Sequence, residues 1–228
     1  LANSNLAELP FDEAAAKPIR LADCNVAGPM VDLDKLADIA KDYIAELADD
    51  EVIEQVANWA GENDEELSGA LAGDPAYNSS VLAIRNAAVK NIRKDLAKWS
   101  DFRSAYGFLY PTIFEPISDP TDERVGGMDP GLARQVAADF VAHYNHDPDR
   151  DVWFEQIREL AARNDFAANK TQLNEEPDRY HGLLRDVATL VRVLVTGASQ
   201  SPDLFSVAMV LGADEVTRRV SALADRSG

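Results

Sequence analysis

Between residues 183 and 195 nearly every position is apolar, and apart from Asp186 the exceptions form one stripe: Arg185, Thr189 and Arg192, continued by Thr196. Steps of four, three and four keep that stripe on a single face of a helix with 3.6 residues per turn. The remaining faces must therefore be covered by protein. Gly197 supplies the left-handed residue that ends such a helix. Ser201 followed by Pro202 reads as an N-cap and first helical residue. Leu204, Val207, Ala208 and Leu211 then repeat at the spacing of a buried face, and Gly212 closes that run. Asp214 caps a last helix with Val216, Val220 and Leu223 together. These three helices are expected to be what the second half of the chain folds around.

The same reading extends to the rest of the chain. Residues 1–30 show little periodicity and read as an irregular lead-in. Asp32 or Asp34 caps a helix reaching Leu47, with Leu36, Ile39, Ala40, Tyr43 and Leu47 on its apolar face. Asp49 and Asp50 open another that stops at Gly61, and a short acidic helix follows, ended by a turn at Gly73-Asp74-Pro75. Ser79 or Ser80 is expected to cap the longest helix, running to about Trp99 with Val81, Ile84, Ala88, Ile92, Leu96 and Trp99 inward. From 110 to 130 prolines and a glycine pair break the pattern, which makes this the best domain boundary. Beyond it, Asp129-Pro130 and then Asp149 or Asp151 start two more helices. Strand-like alternation is scarce. The expectation is an all-α protein of two helical bundles: a first domain over 31–110, a Pro/Gly-rich linker over 111–130 and a second domain over 131–228.

Charge changes this picture most. The 228 residues carry a net charge of −18, which repels phosphate at long range, so any nucleic-acid surface must be local. One stretch qualifies. Between residues 85 and 103 stand Arg85, Lys90, Arg93, Lys94, Lys98 and Arg103 against only Asp95 and Asp101. On a continuous helix Lys90, Lys94 and Lys98 share a stripe, with Arg93 beside it, and several cations then face one phosphate backbone. The plainer alternative is a solvated face paired with acidic neighbours. Arg185 and Arg192 are a second candidate pair, since arginine binds phosphate with two prongs or stacks on a base; an ion pair to Asp186 competes with that use.

Other chemistry is thinner. The single cysteine, Cys24, excludes an internal disulfide framework and most zinc sites. Asp147, Asp149 and Asp151 have the alternate spacing of a calcium loop, but Val152 and Arg158 stand where glycine and glutamate are required. His143 and His146 have no third ligand at a useful spacing and suit a helix end better. Phosphate loops and nucleophile elbows are absent, so no catalytic residue, metal or bound cofactor is expected within this chain. No apolar run approaches the length of a membrane helix and no signal peptide is visible, which points to a cytoplasmic protein. The chain starts at Leu1, and the expectation is a piece of something longer.

Four segments carry a resemblance: VDLDKLADIAKDYI (31–44), NIRKDLAKWSDF (91–102), WFEQIRELAARNDFA (153–167) and GLLRDVATLVRVLVTGASQSPDLFSVAMVLGADEVTRRV (182–220). Together they resemble the C-terminal helical part of bacterial glutamyl-tRNA synthetases, a class I family, with RVLVTGASQSPDL (192–204) the most specific piece. The resemblance implies a monomeric fragment whose first half grips the acceptor-side stem of tRNA and whose second half grips the anticodon end. It also implies a parent enzyme that uses ATP and Mg2+; the HIGH and KMSKS signatures of that family have no counterpart here, and in the family they lie in a domain that precedes such a region. Two positions depart from the family pattern: Ile92 replaces a proline and Arg185 a glycine. The RNA-contacting residues expected are Lys90, Arg93, Lys94, Lys98 and Arg103, with Arg185 and Arg192 behind them. The corresponding part of a glutaminyl or lysyl enzyme, and an acidic helical module that binds proteins, remain alternatives.

Overall fold

The computed structural model describes Glu13, Ala16 and residues 32–86 and 93–224. The expected lead-in, apart from Glu13 and Ala16, therefore lies outside the described residues, as do Ala88, Lys90 and Ile92. Within them the chain is helical, as expected. The helices of the first half are α1 (Leu33–Glu46), α2 (Asp49–Asn63), α3 (Glu65–Leu71), α4 (Pro75–Ala83) and α5 (Asp101–Tyr106). The second half contains α6 (Pro130–His143), α7 (Arg150–Arg163), α8 (Lys170–Glu175), α9 (Leu184–Thr196) and α10 (Leu204–Ala224). Short 3-10 turns at Ile84–Asn86, Gly107–Leu109 and Glu123–Val125 join them. One two-residue parallel pair, β1 (Phe166–Ala167) with β2 (Gly182–Leu183), closes the loop that holds α8.

Aspartate caps account for most of the helix starts. Asp32, Asp64, Asp74, Asp129 and Asp149 each accept hydrogen bonds from the backbone N–H groups of the first turn that follows, which satisfies donors that otherwise have no partner. Asp129-Pro130 behaves as read. Asp74-Pro75 is the same device, although its sequence reads as a turn with the cap displaced to Ser79 or Ser80. Those serines lie inside α4 and donate back to the carbonyls of Pro75 and Ala76, both at 3.0 Å.

The expected long helix to Trp99 does not form. Helix α4 ends at Ala83, a 3-10 turn carries the chain to Asn86, and residues 93–96 have no regular structure. The physical reason lies in Arg85. Its guanidinium is drawn into the protein, 5% exposed, where it donates to the carbonyls of Ile44 and Leu47 and pairs with Asp49 at 2.5 Å. The backbone N–H of Arg93 then bonds the Arg85 carbonyl at 3.1 Å, a pairing across eight residues that a continuous helix cannot make.

The helices of the second half match the pattern more closely. Gly197 ends α9 at φ 77°, and its N–H bonds the Val193 carbonyl at 2.7 Å. Gly212 interrupts α10 at φ 78° and ψ 164°, so two helical runs are present where two are expected. Leu204, Val207, Ala208 and Leu211 are buried on the first run and Val216, Val220 and Leu223 on the second. The N-cap of the first is Asp203, not Ser201: its carboxylate accepts from the Ser206 N–H at 3.0 Å and is held by both terminal nitrogens of Arg150.

Helix α10 packs most extensively on α6, and α9 lies against α10 and α7. The core does not stop at residue 110. Leu82 and Tyr106 belong to the same contiguous apolar cluster as Val136 and Leu194, and Tyr77 donates its hydroxyl to the Leu109 carbonyl. The stretch from 110 to 130 is irregular and alternates exposed residues with side chains that reach the core. Phe114, Ile117 and Val125 are 9%, 2% and 6% exposed, and the turn at Glu123–Val125 packs on α9. Helix α1 also departs from expectation. Leu33, Leu36, Ile39 and Tyr43 are exposed, and Ile44 and Ala45 near its end are what reaches the core. His143 stands in the last turn of α6, the helix end expected for it.

Candidate nucleic-acid interface

The cations of the basic stretch do not line up. Arg85 is buried against Asp49 and two carbonyls, and Lys90 lies outside the described residues. Arg93 forms a two-pronged pair with Asp95 at 2.8 and 3.1 Å, and Tyr106 donates to the same carboxylate at 2.8 Å. Lys94 reaches back to Asp42 on α1 at 2.6 Å. Lys98 stands 3.9 Å from Asp101, and Arg103 clamps Asp64 at 2.8 Å while also pairing with Glu66. These acids hold their partners firmly charged: donating to Asp95 raises the pKa of Arg93, donating to Asp42 raises that of Lys94, and donating to Glu66 and then Asp64 raises that of Arg103. The stripe expected from a helix is thus dispersed over loop and ion pairs. Lys94 and Lys98 keep side chains 53% and 73% exposed.

The two arginines of α9 diverge as well. Arg185 is 71% exposed and stands 3.5 Å from Asp186. Arg192, two turns on, points toward the loop between α9 and α10. One terminal nitrogen donates to the Ser201 hydroxyl at 2.8 Å and the Pro202 carbonyl at 3.2 Å. Its other N–H groups have no protein acceptor, and it has no carboxylate partner, among the described residues. Thr189 and Thr196, which complete the polar stripe, donate to the carbonyls of Arg185 and Arg192 at 2.7 and 2.8 Å; they satisfy themselves on their own helix.

Arg192 lines a cleft of about 560 Å³, within the range of small-molecule sites. Its floor and one wall come from Arg192, Thr196 and the loop residues Ala198 to Pro202. The opposite wall comes from the first half of the chain: Arg93, Asp95, Ser104, Ala105 and Phe108. The structure therefore brings together two of the candidates legible in the sequence, Arg93 and Arg192, that are far apart in the chain. It leaves Lys94, Lys98, Arg103 and Arg185 outside that cleft.

What surrounds the two arginines suits an unstacked base. Phe108 is a half-buried aromatic residue of the lining, Arg192 has guanidinium donors with no acceptor among the described residues, and Ser199 and Gln200 add exposed polar groups. Single-stranded nucleotides are read in this way, by stacking on aromatic or guanidinium planes and by hydrogen bonds to base edges. Neither Phe108 nor residues 199–202 stand out as binding residues in the sequence pattern. The available signal was the run RVLVTGASQSPDL itself, since a polar loop fixed between a glycine stop and a helix cap is where recognition residues concentrate.

Residues 180–224 match the family model of the anticodon binding domain. Over 217 residues the chain is 30% identical to a glutamate–tRNA ligase of Sorangium cellulosum, a match covering 93% of this chain and 37% of that protein. The glutamate–tRNA ligase of Acetivibrio thermocellus is 28% identical over 225 residues, covering 97% and 40%. That of Clostridium perfringens strain 13 is 27% identical over 214 residues, covering 94% and 39%. The expected resemblance thus holds over nearly all of the chain, which spans about two fifths of the length of the curated relatives it matches. Among the described residues no helix is long and apolar enough to cross a membrane.

Proposed function

We propose that this chain is the tRNA-gripping helical part of a glutamate–tRNA ligase, and that the cleft at Arg192 receives a nucleotide of the anticodon loop. The parent reaction activates glutamate with ATP and Mg2+ and transfers it to the tRNA 3′ end; this chain contributes position, not bond-making. One observation carries the reading. Arg192 lies within the segment that matches the anticodon binding domain, and it lines a cleft with Phe108 while keeping donors that have no acceptor among the described residues. A base entering there stacks against the Phe108 ring. The free N–H groups of Arg192 then donate to its edge or to the adjoining phosphate, while the Ser201 and Pro202 oxygens hold the guanidinium in place.

Lys94 and Lys98 suit the backbone of the duplex stem, in line with the role expected for the first half. Lys90 is proposed with them, and Arg103 joins only as a weaker candidate because its donors are already committed to Asp64 and Glu66. A monomeric, cytoplasmic tRNA-binding unit is part of the same proposal. With a net charge of −18 opposing RNA, affinity must be modest and steeply salt-dependent.

Fluorescence titration with an anticodon stem–loop RNA tests this. Arg192→Ala should weaken binding about 10- to 100-fold, corresponding to the ~1.5–3 kcal/mol of charge-assisted hydrogen bonds, with helicity unchanged. Binding equal to the unmodified chain would refute the cleft. Saturable binding of a protein partner with no RNA binding at all would favour the interaction-module alternative.

A further inference from the structure

The side chain of Arg219, on the second run of α10, is fully buried, at 0% exposure. Its Nη1 donates to two carbonyls at once: Phe108 at 2.8 Å and Val195 at 2.6 Å. Its Nε pairs with Glu215 at 2.6 Å, and its guanidinium carbon lies 3.8 Å from the centroid of the Phe114 ring. Phe114 in turn packs on Gly197, so closely that a Cβ there would come within 3.3 Å of its ring.

These acceptors are not arbitrary. Phe108 belongs to one wall of the cleft, and Val195 immediately precedes Thr196, which belongs to the other. A single nitrogen thus ties together the backbones of the two walls, which are contributed by segments 87 residues apart in the chain. Burying a guanidinium is unfavourable, and here Nη2 has no partner among the described residues. An apolar side chain of similar volume often serves stability as well as a buried ion pair does. It could not bridge two carbonyls in a fixed plane, which the rigid donor fork of arginine does.

We propose that Arg219 is a positioning residue that sets the width of the cleft by fixing the Phe108 and Val195 backbones to each other. The consequence for RNA rests on the proposed role of the cleft in binding a nucleotide; the fixing of the walls does not. Arg219 touches no ligand and acts through Phe108 and through the loop that follows Gly197.

The test compares the unmodified chain with Arg219→Lys, alone and combined with Arg192→Ala, using anticodon stem–loop titration and hydrogen exchange. Lysine keeps the charge but loses the planar fork. Arg219→Lys should raise exchange in residues 104–110 and 196–203 while leaving 153–161 on α7 unchanged. It should weaken RNA binding on the order of tenfold, about 1.4 kcal/mol, at an unchanged binding stoichiometry. In the Arg192→Ala background the same change should cost clearly less than tenfold, because the Arg192 contact is gone and only the stacking on Phe108 remains to be misplaced. A uniform rise in exchange across all helices, or a full tenfold loss in both backgrounds, would show a merely structural role and overturn the proposal. If Arg192→Ala binds like the unmodified chain, the cleft reading fails, and exchange in the two wall segments still decides the role of Arg219. Should Arg219→Lys not fold, Phe114→Leu takes its place. It loosens the guanidinium from below and should give the same pattern at smaller amplitude; unchanged wall exchange there would sink the idea.

Discussion

The segment from 182 to 224 and the stretch from 85 to 103 both advertise themselves in the sequence, one by apolar periodicity and the other by charge. The first folds much as its pattern says. The second does not form its helix at all in the described residues, and its charges scatter. The difference lies in what each signal depends on. An apolar stripe with a glycine stop is read locally: Leu190, Leu194 and Val207 are buried whichever partner covers them. A cation has no fixed destination. Arg85 turns inward to three acceptors, Lys94 crosses to Asp42, and Arg103 finds Asp64 and Glu66. In a chain with 40 acidic and 22 basic side chains, a basic cluster is surrounded by competitors for the phosphate it is supposed to bind.

The contrast is sharpest in two substitutions the sequence would rank very differently. Leu194→Ala opens a core cavity, and Arg85→Ala leaves Asp49 and two carbonyls without their donor. Both should cost about 3 kcal/mol of unfolding free energy. If urea denaturation shows Arg85→Ala to be neutral while RNA affinity falls, Arg85 belongs to a basic surface after all and the contrast collapses.

A smaller effect concerns pH. Burial pushes the Glu215 carboxyl up, but hydrogen bonds from Arg218 and Arg219 more than offset it, and its pKa is net lowered. A carboxyl with a depressed folded pKa stabilises the protein fully above its unfolded value, ordinarily near 4.5, and loses that contribution as pH falls through the folded value. The stability gap between the unmodified chain and Glu215→Gln should therefore be constant from neutral pH to about 5 and shrink below it. A gap that widens in acid would contradict the depressed value.

The smallest effects belong to the exposed lysines. Lys94→Glu with Lys98→Glu should leave the urea unfolding midpoint nearly unchanged, since surface ion pairs contribute little. The double change should flatten the logarithmic salt dependence of RNA binding by no more than about 0.9 for each phosphate it ceases to neutralise, and cost less affinity than Arg192→Ala. A larger loss than Arg192→Ala would move the main interface from the cleft to the stretch after α4.

How far the candidate site was legible follows the same division. Arg192 could be placed on a polar stripe, and the glycine stop and the proline after it could be read as a turn. That the stripe opens on a cleft could not, because the opposite wall is Phe108 and Ser104, nearly ninety residues earlier. Ser201 shows the limit at a single residue. Beside Pro202 it has the look of an N-cap, but Arg150 holds Asp203 in that role, and the Ser201 hydroxyl turns to Arg192 instead.

The sequence by itself determined the all-α class, the aspartate-proline helix start at Asp129, the breaks at Gly197 and Gly212, and the buried faces of α9 and α10. Each depends on backbone sterics or on a periodicity carried by neighbours within a few residues. The tertiary structure alone decided that α4 stops at Ala83, that side chains between 110 and 130 reach the core, and that Arg85 and Arg219 lie inside. It also decided that Arg93 meets Arg192 across one cleft. Those outcomes turn on which acceptor wins a given donor, and the competing acceptors come from parts of the chain that only folding brings within hydrogen-bond reach.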